Sequence, residues 1–302
     1  MHPSIGEIKW KINRKKQLNN SFTNSCEMAC RLQTANVSDQ TILTIINSKS
    51  KKQTMKKQIN ETIKNIVLVH GAFADGSGWE GVYKILTKRG YNVSVVGNPN
   101  TSLANDVEAT KRVLARQNGP VVLVGHSYGG AVITEAGNEA NVAGLVYVAA
   151  FAPDAGESLL TLLPTLPPTP KSGVGAPENG YFWYDKAKFH AGFCAELSDE
   201  KAAFMYDSQL PNGFATFETT ISKAAWKTKP SWFVVATQDE TISPDAERFF
   251  AKRAGSTVTE IKGCHVVFIS HPEEVAAVIE AAAKESAVKE EMIYSKEMTY
   301  SN

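Results

Sequence analysis

The sequence is poor in cysteine and lacks long hydrophobic runs, and both absences exclude classes of protein. It has 4 cysteines in 302 residues, and they do not form the repeated C-x-x-C pairs that bind zinc. No run of about 18 consecutive apolar residues is present, so no membrane-spanning helix is expected. So few thiols also argue against a disulfide framework. We therefore expect a cytoplasmic protein without a metal site or membrane association.

Charge is unevenly distributed along the chain. The net charge is only +1, yet residues 1–60 hold 11 Lys and Arg against 3 Asp and Glu. This segment is polar and has little hydrophobic periodicity, so we expect a disordered basic extension. It has too few aromatic residues to indicate nucleic-acid binding and no apolar core typical of a secretory signal. A transit segment or a translation start at Met55 would both fit its composition.

From residue 65 onward, short apolar runs alternate with amphipathic segments. This pattern predicts an α/β domain in which βαβ units form a mostly parallel, doubly wound sheet. The domain is expected over residues 61–285, with a frayed tail over 286–302. The predicted strands are 66–69, 91–96, 121–124, 142–149, 231–237 and 257–261, and the predicted helices are 79–89, 103–117, 131–140, 244–253 and 273–284.

The alternation is interrupted over residues 153–229. This stretch begins rich in proline and glycine and continues with the aromatic run Tyr181-Phe182-Trp183-Tyr184. Because it lies between two predicted core strands, we interpret it as a helical lid inserted over the site. Most of its aromatic side chains are expected to form a local core, and a few to face a substrate.

The most informative motif is Gly125-His126-Ser127-Tyr128-Gly129, which directly follows the apolar run 121–124. It fits the G-x-S-x-G pattern of a nucleophile elbow, in which a tight strand-to-helix turn exposes a serine hydroxyl. The glycines allow the close backbone approach that such a turn requires. Ser127 is therefore the predicted nucleophile of a serine hydrolase.

A serine nucleophile needs a histidine base, which in this architecture comes last in the chain and follows a strand. Three histidines come after Ser127. His190 falls in the predicted lid, and His271 opens a predicted helix. His265 lies in the loop after the strand 257–261, so it is the predicted base.

The histidine in turn needs a carboxylate, expected after the preceding strand. Asp239 follows the strand 231–237 and is the predicted acid. Glu240 is adjacent but should project differently, and Asp245 should lie in the first turn of the next helix. Asp154, which follows the strand 142–149, stays open as an alternative.

The same site needs two backbone amides to bind an oxyanion. We expect them from Tyr128, next to the nucleophile, and from Ala72, in the loop after the first strand. Phe73 and Trp79 are predicted to contact substrate. Two further histidines, His70 and His126, flank tight turns before and beside the serine, so a structural role is expected for both.

Together these motifs resemble the α/β-hydrolase superfamily over residues 65–284. The stretches Val67–Ala72, Gln238–Glu240 and Gly263–His265 are most similar to compact esterases grouped with plant methylesterases and hydroxynitrile lyases. The resemblance implies an α/β-hydrolase fold and acyl transfer by a Ser-His-Asp triad without a cofactor. Lyases of this group carry a threonine and a lysine where this chain has Gly71 and Val266, which disfavours cyanohydrin cleavage.

The sequence therefore predicts a carboxylesterase-type hydrolase that cleaves small to medium carboxylic esters through an acyl-enzyme. A cofactor-free perhydrolase or amidase would use the same triad and stays open. A small-molecule receptor built on a hydrolase fold is the alternative from another class. Aromatic residues near the site suggest a mostly apolar substrate, and the sequence indicates no oligomeric state.

Overall fold

The structure, a computed structural model, describes residues 62–300 and the side chains of residues 62–287. The predicted basic extension over residues 1–60 and the alternative start at Met55 lie outside the described residues. The predicted domain starting near residue 61 falls almost wholly within them.

The strands of the described residues are β1 (Asn65–Val69), β2 (Asn92–Val96), β3 (Val121–His126), β4 (Val142–Val148), β5 (Tyr181–Phe182), β6 (Asn212–Gly213), β7 (Ser231–Ala236) and β8 (Thr257–Ile261). Six of them form one parallel sheet in the order β2-β1-β3-β4-β7-β8, and the short strands β5 and β6 form an antiparallel pair. Central strands such as β1 and β3 are buried along their whole length, as expected for a parallel sheet covered on both faces. All six predicted strands form, with ends that differ by at most two residues.

The strand register aligns the carboxyl ends of the central strands. Val69 of β1 lies beside Gly125 of β3, and Val148 of β4 lies beside Val234 of β7. The loops that follow these strands therefore meet at one edge of the sheet, where ligands of open α/β sheets bind.

The helices differ from the prediction mainly at the C-terminal end. The last helix extends to Tyr300 instead of ending near residue 284, and the expected frayed tail is helical over its described part. The sequence after residue 272 contains no Gly or Pro and is rich in Ala, Glu, Lys and Met, which favour helix. The α-helices are α1 (Glu80–Lys88), α2 (Leu103–Leu114), α3 (Gly129–Ala136), α4 (Leu159–Leu162), α5 (Lys186–Phe193), α6 (Asp199–Asp207), α7 (Phe214–Glu218), α8 (Pro244–Arg253), α9 (Val267–Ser270) and α10 (Pro272–Tyr300).

The segment 153–229 contains α4 to α7 and the β5–β6 pair. Its centre is an aromatic cluster in which the ring of Tyr184 lies 5.4 Å from the rings of both Phe189 and Phe193. Trp183, on the opposite face of the chain, is 45% exposed. The aromatic residues of this segment thus divide between a local core, as expected, and the surface.

The described part of the chain contains neither a membrane-spanning helix nor a group of residues placed to bind a metal ion. Within residues 62–300, no helix combines the length and the apolar character needed to cross a membrane. The same residues contain no group of three or more His, Cys, Asp or Glu placed to hold a metal ion. Of the four cysteines, Cys194 and Cys264 lie in this range, and both are buried free thiols. The cytoplasmic location stays a prediction.

Candidate active site

Ser127 lies at the end of β3 in a strained turn, with a φ of +53° that is uncommon for a residue with a side chain. A Cβ on Gly125 would lie 2.5 Å from the Gly129 carbonyl oxygen, and one on Gly129 would lie 2.8 Å from the His70 carbonyl oxygen. Only glycine fits both positions. The turn has the close backbone contacts that the G-x-S-x-G pattern predicts.

Ser127, His265 and Asp239 form one hydrogen-bonded chain. His265 Nε2 lies 2.9 Å from Ser127 Oγ, and His265 Nδ1 lies 2.5 Å from Asp239 Oδ2. All three residues are buried. Since the carboxylate can only accept, Nδ1 carries the proton and Nε2 is free to accept one from the serine hydroxyl.

The loops after β7 and β8 bring the acid and the base together. Asp239 follows β7, and its Oδ1 accepts hydrogen bonds from the amides of Thr241 (2.6 Å) and Ile242 (3.0 Å). His265 lies between β8 and α9. These two backbone hydrogen bonds hold the Asp239 carboxylate in place. Its second oxygen, Oδ2, points at the His265 imidazole.

The other carboxylates considered from the sequence lie in ion pairs elsewhere. Asp154, the alternative acid, lies 2.6 Å from Lys227, and Glu240 lies 2.8 Å from Lys171. Asp245 is in the first turn of α8, as predicted. Of these four carboxylates, Asp239 is the one that forms a hydrogen bond with His265.

The remaining histidines after the serine also have other partners. His190 lies 3.0 Å from Asp199 within the lid segment. His271 precedes α10 and lies 3.0 Å from Glu196. Neither forms a hydrogen bond with Ser127 in the described part of the chain.

His70 and His126 hold loops around the site. The amide of Asn98 donates to His70 Nε2, so His70 Nδ1 carries the proton and donates to the Gly71 carbonyl oxygen. His126 Nε2 donates to the backbone oxygen of His265 at 3.0 Å. Burial lowers the pKa of His70 and lowers that of His126 well below the ordinary value, so both are neutral. These contacts agree with the structural role expected for both.

The loop after β1 passes close to the serine. A Cβ on Gly71 would lie 2.8 Å from the Cβ of Ser127, and Phe73 has a positive φ of +60°. Ala72 and Tyr128 line the same cavity as Ser127. Among the residues that the structure describes, neither of these two amides donates a hydrogen bond. Two residues whose amides have no hydrogen-bond partner within residues 62–300 therefore line the cavity together with Ser127.

The cavity has a volume of about 220 Å³ and an apolar wall. Its polar side chains all carry hydroxyl groups, and no charged side chain of the described residues lines it. The apolar lining comes mainly from the lid segment and includes Phe151, Leu160, Leu163, Val174, Phe182 and Phe217.

The two residues predicted to contact substrate differ in position. Phe73 lines the cavity. Trp79 does not: it is 0% exposed, and its ring lies 4.2 Å from that of Phe268 in the core. The structure therefore does not support the prediction for Trp79. The short 3₁₀ helix Gly76–Trp79 places this side chain between the sheet and α9, a direction that the sequence did not reveal.

Sequence reasoning missed a buried acid behind Tyr128. The Tyr128 hydroxyl donates to Asp106 at 2.6 Å, and the Asn100 amide donates to the same carboxyl at 2.8 Å. Burial raises the pKa of Asp106 to about 6 against these hydrogen bonds. The signal was present, because Asp106 lies on the buried face of α2 with Leu103 and Thr110.

Residues 66–278 match the family model described as "Alpha/beta hydrolase family". The chain belongs to the alpha/beta hydrolase family. The matched range contains β1, the serine turn and both loops that carry Asp239 and His265, so the family and the fold predicted from the sequence are confirmed.

Relatives of this hydrolase include named esterases. It is 29% identical to a carbendazim hydrolyzing esterase from Nocardioides sp. strain SG-4G over 240 residues, which cover 70% of this chain and 96% of the relative. The prediction of a carboxylesterase-type enzyme is confirmed at this level.

Solved structures share the fold of this hydrolase. A pyrethroid hydrolase from Sphingobium faniae JZ-2 superposes with a TM-score of 0.63 at 22% identity, covering 74% of this chain and 98% of that one. Polyneuridine aldehyde esterase superposes with a TM-score of 0.62 at 19% identity, covering 72% and 98%. At these identities the superpositions show a shared fold.

Proposed function

We propose that this hydrolase cleaves small to medium carboxylic esters through an acyl-enzyme on Ser127. The observation that carries the proposal is the continuous hydrogen-bonded chain from Ser127 through His265 to Asp239. A serine hydroxyl is a weak nucleophile until a base removes its proton, and His265 is the base in this hydrogen-bonded arrangement.

In the first half of the reaction, Ser127 Oγ attacks the ester carbonyl while its proton moves to His265 Nε2. The carbonyl oxygen becomes an oxyanion, and the amides of Ala72 and Tyr128 donate to it. Asp239 stays ionised and stabilises the imidazolium. His265 then gives the proton to the departing alkoxide as the ester C–O bond breaks.

In the second half, water attacks the acyl-enzyme. His265 takes a proton from the water, and the new oxyanion occupies the same two amides. The bond between Ser127 Oγ and the acyl carbon then breaks, and Oγ recovers its proton from His265. The acid product leaves and the enzyme returns to its starting state.

The lining of the cavity favours an uncharged, largely apolar substrate. Burying a charge without a partner is costly, and no charged side chain of the described residues lines the cavity. The relatives named for hydrolysis of carbendazim and of pyrethroids are consistent with an ester of this kind.

Replacement of the nucleophile tests the proposal. Ser127→Ala is expected to lower kcat on a series of p-nitrophenyl esters by roughly 10³-fold or more. Ser172→Ala, which removes another hydroxyl from the cavity, is the matched control and should retain most of the activity. Ester hydrolysis retained in full by Ser127→Ala would rule out this mechanism.

A further inference from the structure

Glu247 is a buried acid that the reaction steps above do not use. It lies in the first turns of α8, between the exposed residues Asp245 and Arg248, yet its side chain is 0% exposed. A carboxylate is rarely buried unless a partner compensates for the loss of water. The contacts of this side chain therefore need an explanation.

Its carboxyl group is a neighbour of the triad acid. Oε2 accepts a hydrogen bond from the amide of Ala236, the last residue of β7, at 2.9 Å. The carbonyl oxygen of the same Ala236 accepts from the amide of Asp239 at 3.1 Å, and the two carboxyl groups interact directly. Oε1 accepts no hydrogen bond from an N–H or O–H group of the described residues. A single proton shared by the two acids would satisfy Oε1 and remove their repulsion.

The number of donors decides which acid holds this proton. Asp239 accepts from the amides of Thr241 and Ile242 and from His265 Nδ1. Glu247 accepts from a single amide. Hydrogen bonds to a carboxylate favour its ionised form, so the proton belongs on Glu247.

The charges around Glu247 agree with this assignment. Burial raises the pKa of Glu247 well above its ordinary range, and the neighbouring Asp239 charge acts in the same direction. Among the described residues, the cation that lowers the pKa of Glu247 is Arg248 of the same helix. Its guanidinium lies in exposed ion pairs with Asp245 and Glu260, away from the buried carboxyl.

We propose that Glu247 is a positioning residue, a neutral carboxylic acid whose Oε1–H donates to Asp239 and holds that carboxylate against His265. The proposal rests on the proposed triad. With Glu247 neutral, His265 faces the negative charge of Asp239 alone instead of the charges of two carboxylates. Glu247 is not among the residues that line the cavity, so its effect on the reaction passes through Asp239.

Two substitutions separate this role from a purely structural one. Glu247→Leu fills a similar volume without a donor, and it should lower kcat about tenfold, the effect of one hydrogen bond, with little change in KM. Glu247→Gln can accept from Ala236 and donate to Asp239, as the neutral acid does. It should restore kcat and keep the acid limb of the kcat/KM profile at the wild-type pH. Asp245→Asn, on the exposed side of the same helix turn, is the control for loss of a nearby charge.

The Gln variant carries the decisive outcomes. If Glu247 were ionised, Gln would remove a negative charge near His265 and shift the acid limb to lower pH, which would overturn the proposal. Failure of the Gln variant to fold would also overturn it, because the amide reproduces both hydrogen bonds. A Leu variant with wild-type kcat would do the same.

A spectroscopic readout distinguishes failure of this proposal from failure of the proposed function. The downfield proton resonance of His265 Nδ1–H should be unchanged in Glu247→Gln and shifted in Glu247→Leu, whatever ester is hydrolysed. A shift in both variants, or in neither, contradicts the role of Glu247 and leaves the esterase proposal to the Ser127→Ala experiment.

Discussion

At the scale of single residues, hydrogen-bond partners give the buried histidines different roles. His70 and His126 each contact backbone oxygens and stay neutral because burial lowers their pKa values. His265 is equally buried but has a carboxylate on Nδ1 and a hydroxyl on Nε2. Only that combination can accept a proton and stabilise the cation that results.

The identity of the triad acid is a residue-scale prediction. Asp239→Asn is expected to lower kcat by roughly 10²-fold or more, since an amide leaves the imidazolium without a counter-charge and favours the wrong tautomer. Asp154→Asn, which breaks a partly exposed ion pair with Lys227, should change kcat little. Steady-state kinetics of both variants decide the matter, and a larger loss in Asp154→Asn would contradict the assignment.

Asp106 predicts a specific pH dependence of stability. Its pKa is about 6 in the folded protein against an ordinary value of 3.8, so protonation favours the folded state. Its contribution is therefore complete below about pH 3.8 and is lost as the pH rises through 6. The shift corresponds to roughly 3 kcal/mol in the free energy of unfolding.

Asp106→Asn removes the ionisable group. The part of the pH dependence of the unfolding free energy that comes from Asp106 should therefore be lost. Urea unfolding of both proteins from pH 4 to pH 8 measures it. The expected result is a stability difference that changes in favour of the Asn variant as the pH rises through 6. Curves that run parallel across this range would show that Asp106 does not take up a proton on folding, which contradicts the prediction.

At the scale of elements, one glutamate ties the lid segment to the loop that carries the base. Glu196 accepts from the Cys264 amide at 2.8 Å and from Ser270 at 2.8 Å, and it pairs with His271 at 3.0 Å. Although partial burial opposes ionisation, these hydrogen bonds lower the pKa of Glu196 to about 2. The hydrogen bond to Glu196 raises the pKa of His271.

Because of these contacts, a substitution of Glu196 in the lid segment should alter the loop that carries His265. The charged pair is complete between the low pKa of Glu196 and the raised pKa of His271, and it weakens outside that window. Glu196→Ala should speed amide hydrogen exchange over residues 262–271 and lower kcat severalfold, because two hydrogen bonds and one ion pair to the segment around the base are lost. Glu240→Ala, which breaks the ion pair with Lys171, is the control. Unchanged exchange over 262–271 in Glu196→Ala would contradict the tie.

The candidate site residues could be predicted where the order of strands and loops along the chain leaves few possible positions. The position after β3 selected Ser127, and the position after β8 selected His265, because each catalytic group of this architecture follows a strand. The rule did not separate Asp239 from Asp154, since both follow strands; the separation depends on the hydrogen bonds around each carboxylate. It also gave no direction for Trp79, whose side chain points into the core.

Buried acids were the least predictable part of the site. Asp106 and Glu247 occur in helices among exposed charged residues, and acids on such helices are usually solvated. Their burial depends on what packs against each helix, namely the site around Tyr128 for Asp106 and the end of β7 for Glu247. Only the tertiary arrangement reveals these contacts.

At the scale of the whole described chain, the parallel sheet assembles a site from distant segments. His265 and Ser127 are separated by 138 positions, and Asp239 lies 26 positions before His265. Aligned strand ends bring their loops to one edge of the sheet, and the lid segment supplies most of the apolar cavity wall above it. The fold therefore brings the proposed nucleophile and base together, while residues 153–229 shape the cavity beside them.

Covalent labelling of Ser127 tests the central claim most directly. The wild-type protein should react with a fluorophosphonate to give one adduct per chain, measured by intact mass and located at Ser127 by peptide mapping, with parallel loss of esterase activity. Ser127→Ala should remain unlabelled while still folded. An adduct on another residue, or equal labelling of Ser127→Ala, would contradict the account.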